Sequence, residues 1–169
     1  MVFTRDNLWC EAMTKPAKTT EQLSRYIFEC PLPRVMEVVG ERWSLLILRL
    51  AFVGVRNFEQ FQTVLGIARN ILSDRLTKLV AAGMLERQPN ETDRRRVEYH
   101  LTKKGEALIP ALVALRQWGE KWEPGAPPDP VLVDARDKKP VAEIRLKSAD
   151  GRELGLTDLR WARREDVNW

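Results

Sequence analysis

Near Gly83 the apolar pattern of this chain changes period, and that change restricts the fold more than any other feature. Before it, Ile71, Leu72, Leu76, Leu79 and Val80 recur at helical spacing, with Arg69, Asn70, Ser73, Asp74, Thr77 and Lys78 on the opposite side. After it, Val97, Tyr99 and Leu101 alternate with Glu98 and His100, as in a half-buried strand. Between them lie a short strand candidate, Met84–Gln88, and a polar, turn-prone run, Pro89–Arg95. An amphipathic helix stopped by glycine and followed by two short strands predicts a helix packed on a β-hairpin.

Upstream, the helical pattern repeats. Thr20 can cap a helix with Glu21 in its first turn and Leu23, Tyr26, Ile27 and Cys30 at helical spacing. Pro31 and Pro33 interrupt it and are tolerated in a first turn, so a second helix is expected there. Its apolar face would be Val35, Met36, Val38 and Val39, and Gly40 would end it. From Arg42, RWSLLILRLAF reads as a strongly apolar helix punctuated by Gly54, with Trp43 packing in the core. A short helix then follows Arg56–Asn57, its buried side carrying Phe58, Phe61, Val64 and Leu65, and Gly66 stops it. Downstream, Thr102 starts another helix with Leu108, Leu112, Leu115 and Trp118 as apolar positions. Pro110 either bends this helix or marks its true start.

Residues 1–19 read as an N-terminal arm and 20–122 as the main domain. EPGAPPDP makes 123–130 a stiff linker. Residues 131–169 read as a C-terminal β extension, a meander of about three strands over Val131–Ala135, Val141–Lys147 and Arg152–Leu156. Asp150–Gly151 is its hairpin signal. So small a sheet is not stable alone, and it should pack on the main domain or on a second copy.

The fold class expected is mainly α with a β-hairpin wing, an α+β winged helix-turn-helix with this small extension. In that architecture the third core helix enters the DNA major groove and the hairpin loop lies against the flanking backbone. Arg94, Arg95 and Arg96 stand beside the hairpin turn, where cations meet phosphates. Glu86, Glu91, Asp93 and Glu98 make the hairpin mixed rather than purely basic. Base reading falls to Arg69, Asn70, Ser73, Asp74, Thr77 and Lys78. Arg on guanine or Asn on adenine is worth roughly 1–3 kcal/mol of discrimination. Ser44 and Arg42, at the start of their helix, and Arg56 are further phosphate candidates.

Composition permits this without demanding it. There are 28 Lys and Arg against 24 Asp and Glu, a net charge of +4, so a polyanion is an admissible partner. Hydrophobic residues make up 44%, enough for a real core. One histidine and two cysteines cannot assemble a zinc site at the usual ligand spacing, nor a disulfide scaffold. No Gly-rich phosphate loop or Ser/His/Asp set stands out, so neither an enzyme nor a cofactor or metal is expected. The N-terminus lacks the order of a secretory signal, and the apolar stretch Leu45–Val55 is short and broken by Arg49. The expectation is a soluble cytoplasmic protein without a membrane partner.

Three stretches carry a family resemblance: CPLPRVMEVVGERWSLLILR, RNFEQFQTVLGIARNILSDRLTKLVAAGMLER and RRVEYHLTKKGEAL. They resemble, in the correct order, the HxlR-type family of bacterial winged helix-turn-helix regulators, over about residues 28–120. The resemblance implies a homodimeric transcriptional regulator, a repressor or organiser of a promoter, on a pseudo-palindromic operator. It implies dimer contacts from residues 20–40 and 103–122, a recognition helix at Ile67–Ala82 and a wing at Pro89–Arg96. Many relatives have Ser where this chain has Ala68, so a side-chain cap on the recognition helix is missing here. The backbone or the turn at Gly66 would have to hold the helix start instead.

Several relatives use a cysteine before the first core helix to sense electrophiles or oxidants, and Cys30 stands at that place. A helix start at Pro31 would lower its thiol pKa from about 8.5, with Cys10 as a resolving partner. Against this, free cysteine often merely packs, and Glu29 opposes a thiolate. The other route is a small-molecule effector in a cavity lined by Trp118, Trp122, Trp161 and Trp169. Two further readings stay open: a thiol-based redox protein centred on Cys10 and Cys30, and a protein-interaction module reusing the winged fold. His100 is expected on the outward side of its strand, solvated, and Arg163–Arg164 as surface charges.

Overall fold

The computed structural model describes residues 19–90, 93–123, 125, 130–160 and 167–168. The arm with Cys10, the wing residues Glu91 and Thr92, Trp161, Arg163, Arg164 and Trp169 lie outside them, as do the side chains of Leu23 and Tyr26. The elements are α1 (Thr20–Phe28), α2 (Leu32–Val39), α3 (Arg42–Phe52), α4 (Phe58–Leu65), α5 (Arg69–Ala81), β1 (Leu85–Pro89), β2 (Val97–Leu101), α6 (Lys103–Glu106) and α7 (Ile109–Trp122). The chain divides into two compact units, Met1–Thr102 and Lys103–Trp169.

In the first unit, backbone chemistry sets the helix ends. α5 closes with Gly83 N donating to Val80 O and Met84 N to Leu79 O, both at 2.9 Å. That pair of hydrogen bonds requires a left-handed residue, and Gly83 supplies φ +68°. Gly54, at φ +98°, ends α3 with the same pair of bonds, to Ala51 O at 3.1 Å and from Val55 N to Leu50 O at 3.0 Å. α4 opens on Asn57, whose side chain accepts from Gln60 N at 3.0 Å. Ala68 gives α5 no side-chain cap, and the helix opens on the backbone bond from Leu72 N to Ala68 O, 3.0 Å.

The core gathers where α3, α4, α5 and β1 face one another. Ile47, Leu48, Ala51, Phe61, Leu72, Leu76 and Leu79 have no exposed surface, and Leu85 is 1% exposed. The α5 stripe is narrower than expected: Leu72, Leu76 and Leu79 are buried, whereas Ile71 is exposed. On α4 only Phe61 is buried and Val64 is exposed, because a two-turn helix packs along a single line. Trp43 is half-buried, with the Arg42 guanidinium 4.7 Å from its ring. On α2 the expected apolar face is mostly open, with Val39 buried but Val35 and Met36 exposed.

β1 and β2 pair antiparallel in the register Leu85↔Leu101 to Pro89↔Val97. The hairpin is tied to the turn before α4 by the bridge Asn57↔Glu98 and by Tyr99 N donating to Arg56 O at 2.8 Å. The Tyr99 ring meets Phe61 edge to face, centroids 6.4 Å apart. All five β2 residues are half-buried, so the expected alternation of covered and open positions is not sharp.

In the second unit Pro110 lies in the first turn of α7, marking a helix start rather than a bend. The expected three-stranded meander does not form: among the described residues the tail has two single bridges, Val133↔Pro140 and Lys147↔Glu153, and no strand. Pro140 lacks an N–H for a ladder, and Val131, Val141, Ile144 and Leu146 are exposed with no covered face to reward longer pairing. The Asp150–Gly151 turn is present, with Gly151 N donating to Ser148 O at 2.9 Å. α7 holds the tail by side chains. Gln117 donates to Ala142 O at 3.0 Å and accepts from Ile144 N at 2.8 Å, and Arg116 donates to Pro130 O at 2.8 Å.

Candidate nucleic-acid interface

Burial of Leu72, Leu76 and Leu79 turns the opposite side of α5 outward, and Arg69, Asn70, Ser73, Asp74, Thr77 and Lys78 are all exposed there. They differ in how free they are. The Arg69 guanidinium rests 4.7 Å from the Phe58 ring, a cation–π contact that holds it at the α4–α5 turn. Thr77 spends its hydroxyl proton on Ser73 O at 2.8 Å, leaving its lone pairs and methyl to an incoming ligand. Asp74 and Lys78 pair with each other at 3.1 Å.

At the hairpin turn, Asp93 organises the cations. Its backbone N–H donates to Asn90 Oδ1 at 2.8 Å, and its carboxylate accepts from Arg95 N at 3.1 Å. The same carboxylate lies 3.4 Å from Arg95 Nε and 3.6 Å from Arg96 Nε. Arg94 is exposed, and the Arg95 and Arg96 side chains keep 93% and 80% of their surface, so these pairs leave them available. Between this turn and α4 lies a cleft of about 490 Å³ whose lining includes Asn57, Phe58, Asn90, Arg95, Arg96 and Tyr99.

Two phosphate candidates are placed elsewhere. Ser44 is 3% exposed and sits inside the core, because its position on α3 falls on the stripe shared with Ile47, Leu48 and Ala51. Arg56 is half-buried, and its Nη1 donates to Ala51 O and to Val55 O (3.1 Å), so the guanidinium closes the C-terminal end of α3. His100 is half-buried rather than fully solvated, and lies beside Glu98 as expected, its Nε2 2.9 Å from Glu98 Oε2. Cys30 is a free, half-buried thiol whose sulfur accepts from Leu32 N at 3.5 Å, while Trp118 and Trp122 are exposed. Among the described residues no helix is long and apolar enough to cross a membrane, and no side-chain cluster is suited to a metal ion.

The Glu98 carboxyl is held below its ordinary value of 4.5, first by the Asn90 side-chain hydrogen bond and then by that of His100. A carboxylate with a depressed folded pKa stabilises above its unfolded value, and loses that contribution as pH falls through the folded one. The melting temperature should therefore decline below about pH 4.5, and Asn90→Ala should make that decline shallower. Circular dichroism melts of both proteins across this range check it; equal slopes would remove Asn90 as the cause.

Sequence reasoning overlooked Arg75 and Glu41. Both Glu41 carboxylate oxygens engage the Arg75 guanidinium, and Arg75 is only 14% exposed. The partners are 34 positions apart, and no local pattern signals their meeting.

Helices α3 to α5, the hairpin paired behind them and cations at its turn define a winged helix-turn-helix protein. The sequence profile of the HxlR-like helix-turn-helix family matches residues 38–126, just over half of the chain. The chain belongs to that family. It is similar to the helix-turn-helix-type transcriptional regulator Rv3095 of Mycobacterium tuberculosis, 49% identical over 100 residues, covering 59% of this chain and 63% of that protein. The match therefore spans less than two thirds of that relative. The regulator sll1512 of Synechocystis is 34% identical over 94 residues, 55% of this chain and 70% of that protein. Among solved structures, PA1607, described as a candidate transcription factor, is 41% identical with a TM-score of 0.74, covering 83% of this chain and 99% of that one. The redox regulator HypR in its oxidised form is 26% identical with a TM-score of 0.52, covering 57% of this chain and all of that one.

Proposed function

We propose that this protein is a transcriptional regulator of the HxlR type that binds double-stranded DNA with α5 in the major groove and the wing on the backbone. The observation that carries this reading is the pairing, within one compact unit, of an exposed polar α5 face with a turn whose Arg95 and Arg96 side chains are almost fully exposed. Asn70, Ser73, Thr77 and Lys78 read base edges, assisted by Arg69 and Asp74, and Arg94–Arg96 meet phosphates.

The protein acts in the cytoplasm as a homodimer, its two recognition helices about 34 Å apart on a pseudo-palindromic operator. Exposed Ile27, Phe28, Leu32 and Met36 of the α1–α2 region supply dimer contacts, as do Leu115, Trp118 and Trp122 of α7. Residues 20–122 carry DNA binding and dimerisation, with 1–19 as an arm, 123–130 as a linker and 131–169 as an extension. It represses by occluding a promoter. The half-buried Cys30 thiol favours control by an oxidant, as the likeness to a redox regulator suggests.

Fluorescence anisotropy with the DNA upstream of the protein's own gene and with a scrambled duplex tests this. The upstream duplex should bind more tightly, and Asn70→Ala should reduce the difference by roughly 1–3 kcal/mol. Equal affinity for both duplexes in the unaltered protein would overturn sequence-specific binding.

A further inference from the structure

Glu41 immediately precedes α3 in extended conformation (φ −80°, ψ 139°), the position from which a side chain often caps a helix, and it makes no such bond. Its carboxylate crosses to α5 instead. Both oxygens engage the Arg75 guanidinium, and Oε1 lies 3.8 Å from Lys78 Nζ. Asp74 closes the group at 3.3 Å from Arg75 and 3.1 Å from Lys78. Two carboxylates thus face two cations, beside the surface that reads bases. Arg75 Nε is buried without a hydrogen-bond partner, so the guanidinium is held through its outer nitrogens, where Glu41 meets it.

Resting on the DNA-binding reading above, we propose that Glu41 is a specificity-determining positioning residue: it withholds the largely covered Arg75 from phosphates and fixes the roll of α5. A free cation on this helix would find phosphate on any duplex, because backbone contacts carry no sequence information. Each such contact steepens the dependence of binding on salt by about 0.9 in log–log slope. Held by Glu41 and only 14% exposed, Arg75 adds little to indiscriminate attraction, whereas Lys78, 58% exposed, stays open to a ligand. The Arg75–Glu41 pair also ties α5 to the start of α3, which keeps Asn70, Ser73 and Thr77 outward together. Glu41 therefore acts on discrimination without touching DNA.

The test uses the full chain and anisotropy titrations against the upstream duplex and a random-sequence duplex over a series of salt concentrations. Glu41→Gln removes the charge at constant size. It should bind random DNA more tightly, steepen its salt slope by about 0.9 and lower the ratio of upstream to random affinity several-fold. Glu41→Asp keeps the charge and should restore the original slope. Combining Glu41→Gln with Arg75→Gln should return the random-duplex slope to the parental value, since the released cation is gone. An unchanged slope in Glu41→Gln, equal weakening on both duplexes, or a steepened slope that persists in the double variant overturns the proposal. A parent protein that binds no duplex overturns the DNA-binding reading and this inference with it. A parent that binds, beside a Glu41→Gln variant with the parental slope, overturns this inference alone.

Discussion

Phe61→Ala is expected to destabilise the protein by about 3–5 kcal/mol. Phe61 has no exposed surface and is the buried side chain of α4. Truncation removes its transfer free energy and leaves a cavity between α4 and the hairpin, where the ring meets Tyr99 edge to face. A domain of this kind holds about 5–15 kcal/mol in all, so the loss is a large share. Function should follow stability. Tyr99 lies on β2, and its N–H bonds Arg56 O, so a loosened Tyr99 frees the base of the wing from the turn before α4. Urea unfolding followed by circular dichroism measures the change. Phe61→Leu, which fills more of the space, should cost less. A loss under about 1 kcal/mol for the alanine variant would contradict a central, close-packed Phe61.

Replacing Arg94, Arg95 and Arg96 together by alanine should do the reverse: little to stability, much to DNA affinity. The ties of Arg95 and Arg96 to Asp93 are exposed ion pairs, which contribute about 0–1 kcal/mol and are easily exchanged for phosphate. If each arginine meets one phosphate, the log–log salt slope should fall by about 2.7. Upstream and scrambled duplexes should lose affinity by similar factors, because these contacts carry no sequence information. Asn70→Ala has the opposite signature, with discrimination lost and slope kept. A triple variant with the parental slope would remove the wing from the interface.

The hairpin, the glycine stops and the bounds of α3 were legible because each rests on neighbours in sequence. The run RWSLLILRLAF coincides with Arg42–Phe52, and α5 (Arg69–Ala81) lies within the expected Ile67–Ala82. Side-chain assignments were less legible. Periodicity names a helix face but not how wide a strip its neighbours cover, which is why Ile71 and Val64 are exposed. Ser44 was misplaced for the same reason: a helix start attracts anions, but its exposure depends on what packs over it. In the tail, alternation without a partner sheet yielded two bridges rather than strands.

Hydrogen-bond caps, φ preferences and apolar period act over a few residues, and so the order of helices, the hairpin and the presence of cations at its turn were determined by the chain alone. Which charges remain free was decided only by the tertiary structure. Arg56 is drawn to the end of α3, Arg75 is drawn to Glu41, and Lys78, Arg95 and Arg96 keep more than half of their side-chain surface in solvent. Coulomb attraction depends on distance in space, and folding brings Glu41 to a guanidinium 34 residues away.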